Sequence, residues 1–372
     1  MPIRSEAVRS AVETIRRAGL KLPKTLFLAI SGDCNLHCAH CLVESPRPGH
    51  VPAAEVRRVV EEFLALGGEE ICLTGGEPLT RPDWFDLVTF ISRQPSVRSL
   101  RLQTNATLLT SRHADALRSL RFDGLSFQIS LEGGTPATHD EIRREGAFAA
   151  ALRGLDCLVE SGFGRKITIN FTEMRHNMVE IPGLLYLADW FGVKEVVGST
   201  LVPHGRASGS RVQPPLPSQY TDLLERYRHD AEFRKLYDKL GRFSAIEWWL
   251  GRIEGHSGCC SFVETLYLAA DGLLFPCALL HAEAFAARGA FERPLAEAIA
   301  EAVPLWSGFL EDCRQRAETI ETCRGCPAKG HCGGGCPARA LLVHGDLGCP
   351  EDRCELRKAV FGWRPQENFE LS

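Results

Sequence analysis

The sequence predicts an α/β fold: a partial (β/α)6 barrel, followed by a cysteine-rich C-terminal extension carrying a β-hairpin and helices. Three observations predict it. Short apolar, strand-like runs alternate with helix-periodic segments over roughly the first 200 residues. The alternation stops in a Gly-, Pro- and Ser-rich stretch, Pro203–Pro217. Beyond it, ten of the fifteen cysteines crowd between Cys259 and Cys354.

The strand-like runs are Thr25–Ile30, Glu70–Leu73, Arg98–Gln103, Gly124–Ser130, Lys166–Thr172 and Glu195–Ser199. Helical patterns lie between them at Ala53–Leu66, Asp83–Ser92, Ser111–Leu120, Phe148–Ser161 and Ile181–Phe191. Pro52 suits a first helical turn and Gly67-Gly68 ends that helix. Strands alternating with helices imply a parallel sheet with right-handed crossovers, and apolar strands imply helices covering it. Six such units make an open, TIM-like partial barrel, whose site lies at the C-terminal ends of the strands. Cys34, Gly75-Gly76-Glu77, Thr104-Asn105, Ser130 with Glu132, and Asn170 with Thr172 fall at those ends. The expected organisation is a helix in 1–24, the barrel in 25–215, a helical linker in 216–258 and the cysteine-rich region in 259–372. Within the last, Asp271-Gly272 reads as the turn of a hairpin formed by Thr265–Ala270 and Leu273–Phe275. Trp248-Trp249 reads as helix packing.

A 44% hydrophobic content suits a chain with a real core. A net charge of −4 lacks the basic footprint of a nucleic-acid binder, so no nucleic-acid partner is expected. No apolar run approaches the ~20 residues that cross a bilayer, so no membrane partner is expected either. The N-terminal MPIRSEAVRSAVETIRRAGL is charged throughout, which argues against a secretory signal and for the cytoplasm. There thiols stay reduced, so clustered cysteines read as metal ligands rather than disulfides. Cys72 and Cys157 stand apart and read as structural.

The first cluster is Cys34-Asn-Leu-His-Cys38-Ala-His-Cys41. Three thiolates on one loop suit three irons of a 4Fe–4S cube and leave the fourth open for catalysis. A zinc site using His37 or His40 is the alternative. The loop resembles the CxxxCxΦC signature of radical S-adenosylmethionine (SAM) enzymes, with His40 where an aromatic residue is usual. Gly75-Gly76-Glu77-Pro78 resembles their GGEP motif, and Ser130-Leu-Glu132-Gly their SLDG-type segment. The resemblance implies that Cys34, Cys38 and Cys41 hold the cluster and that reductive cleavage of SAM gives a 5′-deoxyadenosyl radical. It also implies a cofactor site from Gly75, Gly76, Glu77, Asn105, Ser130, Glu132, Asn170 and Thr172, with Arg143 or Arg144 on the methionine carboxylate. Glu77 and the motif's backbone are expected to accept the methionine ammonium.

The second group reads Cys259-Cys260, Gly272-x4-Cys277, Cys323-x2-Cys326-x5-Cys332-x3-Cys336, then Cys349 and Cys354. It resembles the SPASM extension, which implies two auxiliary Fe–S clusters. One would use Cys277 and Cys336 with Cys259 or Cys260; the other Cys323, Cys326, Cys332 and Cys354. The family's gap prefers Cys354 to Cys349. Neighbouring Cys259 and Cys260 point apart in extended chain, so the two need not both ligate one cluster, and Cys313 is a distant candidate ligand. A purely structural zinc ribbon is the alternative.

The implied reaction is a net oxidation, hydrogen abstraction followed by electron loss to auxiliary clusters, fed by a flavodoxin- or ferredoxin-type reductant under anaerobic conditions. The leading substrate is a small molecule or biosynthetic intermediate of a tetrapyrrole, quinone-cofactor or aminocyclitol-type pathway. The 24 residues before the first strand are too few for a leader-binding domain, which lowers a peptide maturase making C–S or C–C bonds. In sulfatase-maturating relatives an aspartate base follows the Gx4C cysteine; here Ala278 does. His204 and Arg206 are candidate contacts for an acidic substrate. A non-catalytic Fe–S or zinc scaffold or electron carrier is the reading from another class.

Overall fold

The computed structural model describes residues 6–43, 48–209, 211–252 and 262–363. Cys259 and Cys260 lie outside the described residues. The strands are β1 (Thr25–Ser31), β2 (Glu70–Gly75), β3 (Ser99–Thr104), β4 (Leu125–Ser130), β5 (Ile167–Glu173), β6 (Glu195–Thr200), β7 (Gly241–Arg242), β8 (Thr265–Leu268) and β9 (Leu274–Phe275). The helices of the first half are α1 (Glu6–Arg17), α2 (Ala53–Leu66), α3 (Trp84–Ser92), α4 (Ser111–Ser119), α5 (Pro136–Arg143), α6 (Ala147–Glu160) and α7 (Ile181–Trp190). They continue with α8 (Pro217–His229), α9 (Ala231–Leu240), α10 (Ser244–Trp249), α11 (Leu295–Thr319), α12 (Glu321–Arg324), α13 (Lys329–Cys332), α14 (Pro337–His344) and α15 (Cys354–Gly362).

β1 to β6 run parallel in sequence order, as alternation requires. Their helix-facing residues, such as Leu26, Leu28, Leu73, Leu100, Phe127 and Ile169, are at most 1% exposed. They bury against Val59, Phe63, Leu87 and Leu155 of the covering helices. Each such side chain contributes about 1.5–3 kcal/mol, and together they make the barrel the stable scaffold on which the rim loops stand. α2 ends at Gly67, whose left-handed φ of 108° lets its N–H reach back to Leu64.

The sheet has nine strands, in the order β7-β6-β5-β4-β3-β2-β1-β8-β9, and not six. β7 pairs with β6 at one end. At the other, β8 lies parallel to β1, with Phe27 opposite Tyr267 and Leu28 opposite Leu268. The hairpin expected to belong to a separate extension is thus part of the barrel sheet. The physical reason is that β1 would otherwise present a row of unpaired backbone groups. Strand β8 covers that edge while burying Leu266 and Leu268 completely. Its turn matches expectation, with Gly272 at φ 87°. Among the helices that the periodicity reading did not locate are short α5, hidden by its polar composition, α11, 25 residues long with Pro304 inside it, and the short α12 to α15 of the cysteine-rich region. Trp248 packs inside, 3% exposed, under the guanidinium of Arg357 at 4.3 Å.

Three buried charges fasten the C-terminal region. Arg316 on α11 donates to the carbonyls of Gly335, Leu347 and Cys349. Arg339 on α14, 3% exposed, pairs with Asp352 and donates to Thr200 O (3.0 Å) and Leu201 O (2.6 Å) at the end of β6. Glu351, 2% exposed, accepts from Cys336 N at 2.9 Å and pairs with Arg353 and Arg357. Burial alone would raise the Glu351 carboxyl; Arg353 and Arg357 outweigh it and hold it at about 2.

Two consequences are testable. Arg339→Met leaves Asp352 a buried, uncompensated charge, so chemical denaturation should show a loss of about 3–5 kcal/mol. Glu351 is ionised below its unfolded value of about 4.3, so its contribution is fully present above that pH and is lost as pH falls towards 2. Glu351→Gln should therefore cost about 3 kcal/mol at pH 7 in denaturant titrations of the cluster-free chain, with the gap closing below pH ~4.

Candidate active site at the strand ends

The loop after β1 carries Cys34, Cys38 and Cys41, and all three line one cavity of about 1090 Å³. The loop is held from every side. Gly76 N donates to Ser31 O and Glu77 N to Asp33 O, both at 2.8 Å. Asn105 Nδ2 donates to Asn35 Oδ1 at 3.0 Å, and Asn35 Nδ2 to Thr107 Oγ1 at 2.8 Å. Ala39 N reaches Ile142 O and Arg206 N reaches Cys41 O, each at 2.9 Å. Two glycines exist for these approaches. A Cβ at Gly76 would stand 2.3 Å from Asp33 O, and one at Gly205, where φ is +62°, 2.1 Å from Leu42 O.

Glu77 is 1% exposed and accepts from Thr104 Oγ1 (2.7 Å), Asn105 N (2.8 Å) and Leu79 N (3.2 Å). Three of its roughly four acceptor positions serve the rim itself. The motif's contribution to the cavity is therefore mainly the backbone of Gly75 and Gly76, with Glu77 as the tie beneath it. Ser130, Asn105 and Arg143 also line the cavity. Glu132, Asn170 and Thr172 do not line it. Glu132 is fully buried and holds Arg143 (2.6 Å), His40 Nε2 (3.3 Å) and Thr172 N (2.8 Å). Burial opposes its ionisation, but His40 and Arg143 prevail and keep its carboxyl far below the usual range. Asn170 instead accepts from Gln128 Nε2 at 3.1 Å. Arg144 donates to Asn35 O.

Arg143, itself 8% exposed, places Nη1 3.6 Å from Cys38 Sγ. Burial pushes the thiols of Cys34, to about 11, and Cys38 upward. Thiols that resist ionising alone bind metal with proton release, so the loop fits a group whose own charge stabilises thiolate. No group of three or more His, Cys, Asp or Glu among the described residues is arranged around a single ion. The thiols instead converge on a shared volume, as the separate corners of a cube require.

The second group divides in two. Cys323, Cys326, Cys332 and Cys354 line a pocket of about 370 Å³ together with Lys329, Arg357 and Lys358. Cys349 is not in that wall; its thiol donates to Asp346 Oδ2 at 3.3 Å. Cys277 is 8% exposed and its sulfur accepts from Leu279 N at 3.3 Å. Its charge bears on Cys336, and Cys336 in turn bears on buried Cys313 of α11. Cys72 is buried on β2 and lines neither pocket.

Sequence reasoning missed the hairpin's share of the main cavity. Tyr267, Ala269, Ala270 and Asp271 of the hairpin line it; Arg206, expected as a candidate substrate contact, also lines the cavity, with His40 of the cysteine loop. Arg206 donates Nε to Cys38 O at 3.1 Å, while His204 turns away to Leu342 O at 3.0 Å. The signal was present: Tyr267, Ala269 and Asp271 alternate, as side chains on one face of a strand must.

Residues 28–184 match the model of the radical SAM superfamily. The AdoMet-dependent heme synthase of Methanosarcina barkeri is 29% identical over 90% of this chain and 97% of its own length. The pre-heme d1 synthase of Dinoroseobacter shibae is 26% identical over 88% and 85% respectively. Native anSMEcpe with bound AdoMet and Cp18Cys peptide shares the fold, with a TM-score of 0.72 at 17% identity over 91% of this chain and 96% of that one. The motif loop, the rim that clasps it and the full-length likeness agree: this chain is an enzyme with a radical SAM superfamily domain over residues 28–184, followed by a cysteine-rich C-terminal region.

Proposed function

We propose that the chain carries out a SAM-dependent radical oxidation of a tetrapyrrole-type biosynthetic intermediate. One observation carries the reading: the cavity is lined both by the cysteine loop and by the C-terminal hairpin that pairs with β1. A substrate held there meets both halves of the chain. When bound, a 4Fe–4S cluster and SAM supply a 5′-deoxyadenosyl radical, with auxiliary clusters as the electron sink. Cys34, Cys38 and Cys41 would hold the first. Cys323, Cys326, Cys332 and Cys354 would hold one auxiliary cluster; Cys277 and Cys336, with Cys259 or Cys260, the other. The backbone of Gly75 and Gly76, with Ser130 and Asn105, shapes the SAM seat, and Arg143 offers its guanidinium to a carboxylate. Glu132 orients Arg143 and so acts at one remove. Full-length similarity to two tetrapyrrole synthases supports the substrate class, and Arg206 on the cavity wall suits the acidic side chains of such a molecule. We place the reaction in the cytoplasm, with a flavodoxin or ferredoxin as electron donor.

Anaerobic reconstitution should load about 12 irons per chain, the content of three four-iron clusters. With reductant and SAM it should yield 5′-deoxyadenosine. Cys34→Ala/Cys38→Ala/Cys41→Ala should drop iron to about 8 and abolish that product. A propionate-deuterated porphyrin precursor should pass deuterium to 5′-deoxyadenosine. Zinc in place of iron would sink the enzymatic reading, and deuterium transfer only from a precursor peptide would replace the tetrapyrrole by a peptide.

A further inference from the structure

The hairpin contributes to the cavity lining one hydroxyl, that of Tyr267, that no hydrogen bond engages among the described residues. On β8 the burial alternates: Leu266 and Leu268 are fully buried towards the helices, and Tyr267 faces the other side. There it joins Ala269 and Asp271 in lining the cavity that the cysteine loop also lines. Its ring is fixed. His281 lies 4.3 Å from it, and His281 stacks on Phe275 at 5.1 Å and 18°. Phe275 is the register partner of Tyr267 across the hairpin. Among the described residues no hydrogen bond engages the Tyr267 hydroxyl. Burial, then the neighbouring charges of Cys41 and Asp271, push its phenol up, so it is a donor throughout the physiological range. Asp271 beside it spends Oδ1 on Leu273 N, closing the turn. Around it the wall is small and apolar, Ala269 and Ala270, which leaves room for a broad flat body against the strand.

A rigid aromatic with a donor, beside two alanines and the turn's Asp271, is the usual make-up of a recognition site: apolar contact area plus a few placed polar groups. We propose that Tyr267 is a substrate-recognition residue that donates its hydroxyl hydrogen bond to a carboxylate oxygen of the substrate, with Arg206 of the same cavity lining as the second anion contact. This deepens, and rests on, the tetrapyrrole reading.

The test is equilibrium binding of a propionate-bearing porphyrin, as the free acid and as its methyl ester, to the reconstituted full chain without reductant. A hydrogen bond to a charged group supports a loss of roughly 10- to 100-fold when removed. Tyr267→Phe, which keeps the ring and its stack, should weaken the free acid by that factor and leave the ester unchanged. Wild type should itself prefer acid over ester, a comparison that needs no variant to fold. Equal affinity of wild type and Tyr267→Phe for the acid overturns the assignment, as does an equal loss for acid and ester, which would mark a packing role. A wild-type chain that binds neither porphyrin overturns the substrate class and the Tyr267 assignment with it. A chain that binds both while Tyr267→Phe changes nothing overturns the assignment alone.

Discussion

The structure depends on the clasp between the ends of β1 and β2. Two backbone N–H groups, of Gly76 and Glu77, reach the carbonyls of Ser31 and Asp33 at 2.8 Å. They fix where the cysteine loop leaves the sheet, and hence where three thiols meet. The clasp is possible only because Gly76 lacks a Cβ. It holds its angle because the Glu77 carboxylate ties the same turn to Thr104 and Asn105 at the end of β3. A loop of eight residues with a thiol at each end cannot order itself against its own entropy. The rim orders it, strand by strand, and the stable barrel core supplies the free energy.

A second constraint is electrostatic. Glu132 and Arg143 are a buried ion pair in which neither side alone is tolerable. Such pairs add little net stability, but they hold one geometry. Here that geometry carries Arg143 to Cys38 and keeps His40 against the wall. A cluster that gathers three thiolates concentrates negative charge on this side of the cavity. A guanidinium that cannot lose its proton is the suitable fixed counter-charge. The same design recurs in the C-terminal region, where Glu351 is held by Arg353 and Arg357 beside Cys336.

Much of this was legible in the sequence, for identifiable reasons. Period-2 and period-3.6 patterns located β1 to β6 and α2 within a residue or two, because both sheet faces are covered and the runs are strongly apolar. Cysteine spacing located the loop, because ligand geometry leaves little freedom in it. What escaped was set by tertiary partners. Glu132 sits in a motif that suggests cofactor contact, yet the fold turns it inward to Arg143. Asn170 lies at a strand end but accepts from Gln128 of the neighbouring strand, and the backbone N–H of Thr172 donates to Glu132. No local pattern says which of two polar faces at a rim looks into the cavity.

The hairpin shows how far that limit reaches. Its strands are short, four residues and two, and alone would not be stable. Docked on β1, β8 gains a ladder and buries two leucines, while β1 loses its open edge. The consequence is functional. A cysteine-rich region merely tethered after the barrel would have to find the substrate by diffusion of a linker. Sharing the sheet instead sets Tyr267 and Asp271 in the lining of the same cavity as the cysteine loop, and sets Cys277 two residues beyond β9. The edge that had to be covered for folding is thus the edge through which the two halves of the chemistry address one molecule.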